Sequence, residues 1–180
     1  MGTRVLGLRK RLGFTLVEVM ITVTIVSILA AISLPMLGTY IARSRAVEST
    51  GFLAEVKARQ EAYRADFGMY CNVSQSNRMR LWPPGTLGRQ ALIWTPDPNW
   101  NALGAAPAGR RTLFKYSSVA GPPRTDPGSA GYENARGFDQ LDFWFVTLAV
   151  GDLDGDGTTM MIESYSHQKG TWCSTGDNVE

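Results

Sequence analysis

Gly13-Phe14-Thr15-Leu16-Val17-Glu18 opens the stretch whose reading decides the fold. From Phe14 to Leu34, 21 residues pass without a lysine, arginine or aspartate, and Pro35 closes the run. As a helix rising ~1.5 Å per residue, this segment would measure ~31 Å, the thickness of a bilayer's hydrocarbon core. Glu18 is the exception. A carboxylate at the centre of such a span costs ~2.5–3.5 kcal/mol, and a charge there marks function by default. Near the helix start it could instead snorkel to the interface or sit protonated. On the N-terminal side, residues 1–13 hold Arg4, Arg9, Lys10 and Arg11 and no acid. Four cations ahead of a span keep that end in the cytoplasm, so the rest of the chain is expected outside. The formal net charge of +2 changes sign without them, because 14 basic side chains then face 16 acidic ones. Basicity here speaks of topology, not of nucleic acid.

Gly13-Phe14-Thr15-Leu16-Val17-Glu18-Val19-Met20, followed by Ile28-Leu29-Ala30-Ala31-Ile32-Ser33-Leu34-Pro35, resembles the signature of type IV prepilins of class a. The resemblance implies a cut between Gly13 and Phe14 by an inner-membrane prepilin peptidase and N-methylation of Phe14. It implies that Glu18 neutralises the new amino terminus of Phe14 on a neighbouring subunit as helices bundle. Residues 1–13 would be a cleaved leader, 14–35 the transmembrane and polymerisation helix, and 36–180 a globular head. A conventional secretory signal would be cut after its apolar core; here the junction precedes it, so the span stays attached.

Beyond Pro35, Leu53, Val56, Gln60, Tyr63 and Phe67 recur at spacings of three and four, one stripe of an amphipathic helix. One helix from about Phe14 to Asp66 is expected, kinked where Pro35 removes a backbone donor and crowds the preceding turn. Periodicity then fades. Residues 68–110 read as a long helix-to-sheet loop punctuated by Pro83, Pro84, Pro96, Pro98 and Pro107. Its tryptophans, Trp82, Trp94 and Trp100, either form an interaction face or pin the loop to its own domain. Thr112–Val119, Leu141–Val150 and Thr158–Tyr165 read as strands within a sheet region at 111–166, leaving 167–180 as a tail. The fold class expected is α+β: a long kinked N-terminal helix on a small antiparallel sheet of three to four strands. At 180 residues, 44% of them hydrophobic, the chain has room for one span and one modest domain.

Two cysteines, Cys71 and Cys173, would lie in an oxidising compartment, as a disulfide or as two buried thiols. A bridge would close ~100 residues and contribute up to ~4.7 kcal/mol in the chain-entropy account. Gly151-Asp152-Leu153-Asp154-Gly155-Asp156-Gly157 sets three carboxylates at alternate positions, as loops around Ca²⁺ do, with Glu163 eleven residues after Asp152. Strand-like flanks make the return of Glu163 to such an ion doubtful, and Met160 stands where a further carboxylate would help. The alternative is a tight turn built of the residues turns prefer. Calcium through Asp152, Asp154 and Asp156 is therefore one expectation and a plain hairpin the other.

Catalysis has little to stand on, because His167 is the one histidine and no phosphate-binding loop or metal motif appears. An enzyme is not expected. Residues 68–136 carry a balance of +5 and 137–180 one of −7. The arginines are too scattered for a nucleic-acid patch; either the two regions are independent solvated surfaces, or, across a filament, the basic loop of one subunit would meet the acidic hairpin and tail of another. The reading is a type IV pilin, a structural subunit polymerising through its N-terminal helix. Its expected partners are other copies of itself, the prepilin peptidase, the assembly platform and the inner membrane before export to an extracellular filament. Adhesion, twitching motility and DNA uptake stay open. The rivals are a pseudopilin of a type II secretion system and a membrane-anchored calcium-dependent binding module that never polymerises.

Overall fold

The computed structural model describes residues 13–75, 78–125, 141–153, 155–167 and 170–173, with only the backbone at 34–36, 38, 39, 42, 43, 172 and 173. Helix α1 spans Leu16–Phe67, and the chain parts into two compact units between Gly38 and Thr39. Pro35 stands within the assigned helix.

In the first unit every residue from Gly13 to Ser33 is exposed, the apolar ones included. Leu16–Ser33 is long and apolar enough to cross a membrane, and none of it is buried within the chain. Its polar side chains are nonetheless accounted for. Thr24 Oγ1 donates to Met20 O at 2.8 Å, Ser27 Oγ to Val23 O at 2.7 Å and Ser33 Oγ to Leu29 O at 2.9 Å. Hydroxyls bonded one turn back leave no donor facing an apolar surround.

The second unit is an α+β domain. Its main sheet has the order β3-β4-β5-β6, antiparallel throughout, from Phe114–Gly121, Trp144–Gly151, Met160–Tyr165 and Thr171–Cys173. Phe52, Leu53 and Val56 of α1 are buried against one face, with Phe114, Tyr116, Ala149, Met160 and Ile162. The predicted stripe holds through Gln60, fully buried, and then lifts off: Tyr63 is half-buried and Phe67 exposed. Gln60 clasps the backbone of one residue, donating to Cys71 O and accepting from Cys71 N at 2.8 Å each. The same amide donates to Ser118 Oγ, itself bonded to Thr147 Oγ1. A polar core residue is tolerated because its groups are matched.

The loop expected at 68–110 is more ordered than its prolines suggested. It contains β1 (Leu92–Ile93), paired with β2 (Arg111–Thr112), and a short helix α2 (Pro98–Leu103). Asp97 caps α2 by accepting from Asn99 N and Trp100 N, and Arg80 Nη2 meets its other oxygen at 2.7 Å. Proline at the first helical position signals a helix start as readily as a loop. Trp94 and Trp100 are buried with Phe52 and Tyr116 in one edge-to-face cluster, so these two pin the loop to its own domain. Met79, Leu81 and Leu87 cover the opposite face of the sheet, over Val119, Val146, Leu148 and Tyr165. The strand expected at 112–119 divides at Leu113, and the tail contributes β6.

Candidate functional site

Gly13, Phe14 and Thr15 form an irregular lead-in to α1, all three exposed. A Cβ added at Gly13 would meet nothing within 4 Å, so the chain's own fold does not demand a glycine there. Thr15 then caps the helix. Its Oγ1 accepts from Glu18 N at 3.2 Å, and the Glu18 carboxylate reaches back to Thr15 N at 3.5 Å. This is the reciprocal capping box of a threonine followed three residues later by glutamate. An acid in the first turn also complements the positive end of the helix dipole. The spacing Thr15-x-x-Glu18 is the sequence signal for this box, a signal that a reading of Glu18 as a membrane charge does not use.

The structure thus aims the Glu18 carboxylate at the start of its own helix, on the amide of the Phe14–Thr15 peptide, one residue after the Gly13–Phe14 bond. Around it, Leu16, Val17, Met20 and Ile21 are 54–76% exposed. A continuous apolar surface of this length has no cover among the described residues, and such surfaces mark membrane or protein contact.

The remaining sequence candidates belong to the second unit. Asp152 is buried, with Oδ1 accepting from Gly155 N at 2.7 Å and Oδ2 from Gly157 N at 3.2 Å. Asp156 Oδ1 accepts from Thr158 N at 2.6 Å, and Asp154 lies outside the described residues. Glu163 sits in mid-strand opposite Leu148, its Oε2 receiving the Tyr165 hydroxyl, so it does not turn back to the aspartate loop. Met160 is core. No group of three or more potential metal ligands occurs among the described residues. His167 Nδ1 and Ser166 Oγ share a hydrogen bond at 2.8 Å on an exposed turn, a contact between sequence neighbours.

The Cys71–Cys173 bridge needs correcting. Cys71 is a free, buried thiol, and burial pushes its pKa up. Its segment lies along β3, where Ser74 N donates to Ser118 O, whereas Cys173 belongs to β6 and pairs with Ile162. Strands β3 and β6 are three places apart, ~14 Å at ~4.8 Å per strand. A disulfide requires Cα atoms ~4.4–6.8 Å apart. Sequence separation carried no information about strand order, and the bridge was read from compartment alone.

Residues 8–34 match the family described as the prokaryotic N-terminal methylation motif. The fimbrial protein EcpC of Eikenella corrodens is 41% identical over 58 residues, 32% of this chain and 38% of that protein. The type IV major fimbrial protein FimA of Dichelobacter nodosus is 49% identical over 47 residues, 26% of this chain and 29% of that protein. The chain thus spans about a third of the length of the curated relatives it matches. No solved structure matches it. The family match lies within the first 34 residues.

Proposed function

We propose that this chain is a type IV pilin, made as a membrane-anchored precursor and assembled through the first half of α1 into an extracellular filament. The observation that carries this reading is the junction at Gly13 and Phe14. An exposed cut site, a capped helix start and an uncovered apolar span follow one another within 21 residues of the cut, inside the matched motif.

The steps follow from the chain's own groups. The peptidase hydrolyses the Gly13–Phe14 bond, releasing the four cations of the leader and leaving an amine on Phe14. In the single chain, Glu18 bonds the neutral amide of Thr15. In a bundle of helices a neighbour's cationic amine replaces that amide, and a charge-assisted hydrogen bond is roughly twice as strong as a neutral one. Burying the carboxylate unpaired would be expensive, so pairing favours the register in which each Glu18 meets an amine. The apolar stripe, exposed here, exchanges lipid for other copies of itself.

N-terminal mass spectrometry of the mature protein, combined with electron microscopy of the cells, tests this reading. A mature chain beginning at methylated Phe14 and long surface filaments containing it are expected. A mature chain retaining residues 1–13 would instead indicate a non-polymerising anchored module. Short periplasmic filaments and a neighbouring secretin-export operon would indicate a pseudopilin.

A further inference from the structure

The loop joining β4 to β5 carries Asp152, Asp154 and Asp156 within five residues. Carboxylates this close raise one another's free energy unless a cation meets them. A calcium ion would need a cage of six to eight oxygens. The hydrogen bonds of this loop hold its described carboxylates in place without neutralising their charge. Both oxygens of Asp152 accept from the backbone amides of Gly155 and Gly157. Asp156 Oδ1 accepts from Thr158 N. The Leu153 carbonyl, another natural metal ligand, accepts from Arg45 Nη1 of α1 at 2.7 Å.

A second arginine arrives from the long loop. Gly155 has a φ of +77°, and a Cβ built on it would lie 3.4 Å from Arg89 Cγ and 3.5 Å from Arg89 Nε. The arm of Arg89 therefore rests on the crown of the aspartate loop, over a residue that is glycine for its left-handed backbone. Two arginines thus reach this loop, Arg45 at the Leu153 carbonyl and Arg89 over Gly155.

We infer that Arg89 supplies the charge compensation of this turn in place of a metal, and so fastens the long loop to the β4–β5 hairpin. The loop is held at its other end by Trp82, which exchanges two backbone hydrogen bonds with Tyr116 at 2.7 and 2.6 Å. Between the two fastenings Leu87 packs on the outer face of the sheet. Arg89 is a positioning residue: its loss frees the end of the cover and leaves the carboxylates exposed to calcium from solution.

The test uses the full chain in detergent micelles, with thermal unfolding followed in calcium and in chelator and calcium binding followed by titration calorimetry. The wild-type midpoint should be the same in both solutions. Arg89→Gln should unfold earlier in chelator, recover in calcium, and bind calcium at least roughly tenfold more tightly, the scale expected when a nearby like charge is removed. Adding Asp156→Asn should abolish that recovery, and Arg89→Lys, which keeps the charge, should stay insensitive to calcium. A wild-type midpoint that rises in calcium as far as that of Arg89→Gln overturns the inference, as does an Arg89→Gln protein indistinguishable from wild type in chelator. Should Arg89→Gln not fold, wild type against Asp156→Asn decides: calcium binding by wild type that Asp156→Asn removes overturns the inference, and no binding by wild type supports it.

Discussion

Residues 13–33 and the head use apolar side chains in opposite ways. In the first region the side chains that define it are exposed, and the structural order is helical backbone and a cap. In the head, Trp100, Trp144, Tyr116 and Phe114 are almost wholly buried, and the order comes from contacts distant in sequence. The difference shows where each kind of information is held. A region whose apolar side chains are left for other molecules to cover is written in a contiguous run. A region that covers itself distributes its purpose over residues that meet only when folded.

The sharpest way to break the comparison is Glu18→Val. It makes the span more apolar, so membrane insertion should persist while filaments are lost; wild-type amounts of filament would reduce Glu18 to a helix cap. The unfolding midpoint of the head should not move. Trp100→Ala acts on the other side. It empties a site at the junction of α1, the loop and the sheet, and a cost of ~3–5 kcal/mol is expected in chemical denaturation. Cleavage after Gly13 should continue in it. A loss below ~1 kcal/mol would mean that the aromatic cluster is not the core of the head.

Gln60→Leu is a finer probe. It nearly keeps the volume and removes the partners of both Cys71 backbone groups, leaving a buried N–H and C=O unmatched at ~1–3 kcal/mol each. Equal stability of mutant and parent would show that the segment after α1 finds other partners. The smallest effect belongs to Arg64 and Asp142, paired at 2.6 Å near the surface. The hydrogen bond from Arg64, then that from Phe143 N, holds the Asp142 pKa below its ordinary value. Its contribution is therefore present above the ordinary carboxylate range and lost as pH falls through the lowered value. Asp142→Asn should flatten the acid limb of the stability curve slightly. An unchanged limb would mean the pair is a surface contact without thermodynamic weight.

The sequence made the long apolar run and the α1 stripe from Leu53 to Gln60 legible because each is a pattern along one chain segment. It also placed β4 and β5, whose runs of apolar and β-branched residues are long. What stayed hidden depended on pairing. Leu92-Ile93 is too short to read as a strand until Arg111-Thr112 lies beside it. Pro98 read as a breaker until Asp97 was seen capping a helix. The charge split between the basic loop and the acidic hairpin pointed to contacts between subunits, yet Arg89 lies on the hairpin of its own chain. At the candidate site, Phe14 and Glu18 were visible; Thr15 was overlooked, since its part is to turn the carboxylate rather than to carry charge.

The hydroxyls of the span bear on how a subunit is handled. Thr24, Ser27 and Ser33 each satisfy themselves within one turn of their own helix. None of these bonds has to be broken or formed when the surroundings change from acyl chains to neighbouring helices. In the assembly proposed above, transfer between the two is a trade of one oily solvent for another, with Glu18 as the group that would tell them apart. A segment wired in this way is interchangeable stock: it can be stored in the bilayer and drawn on without rebuilding its internal bonding at each transfer.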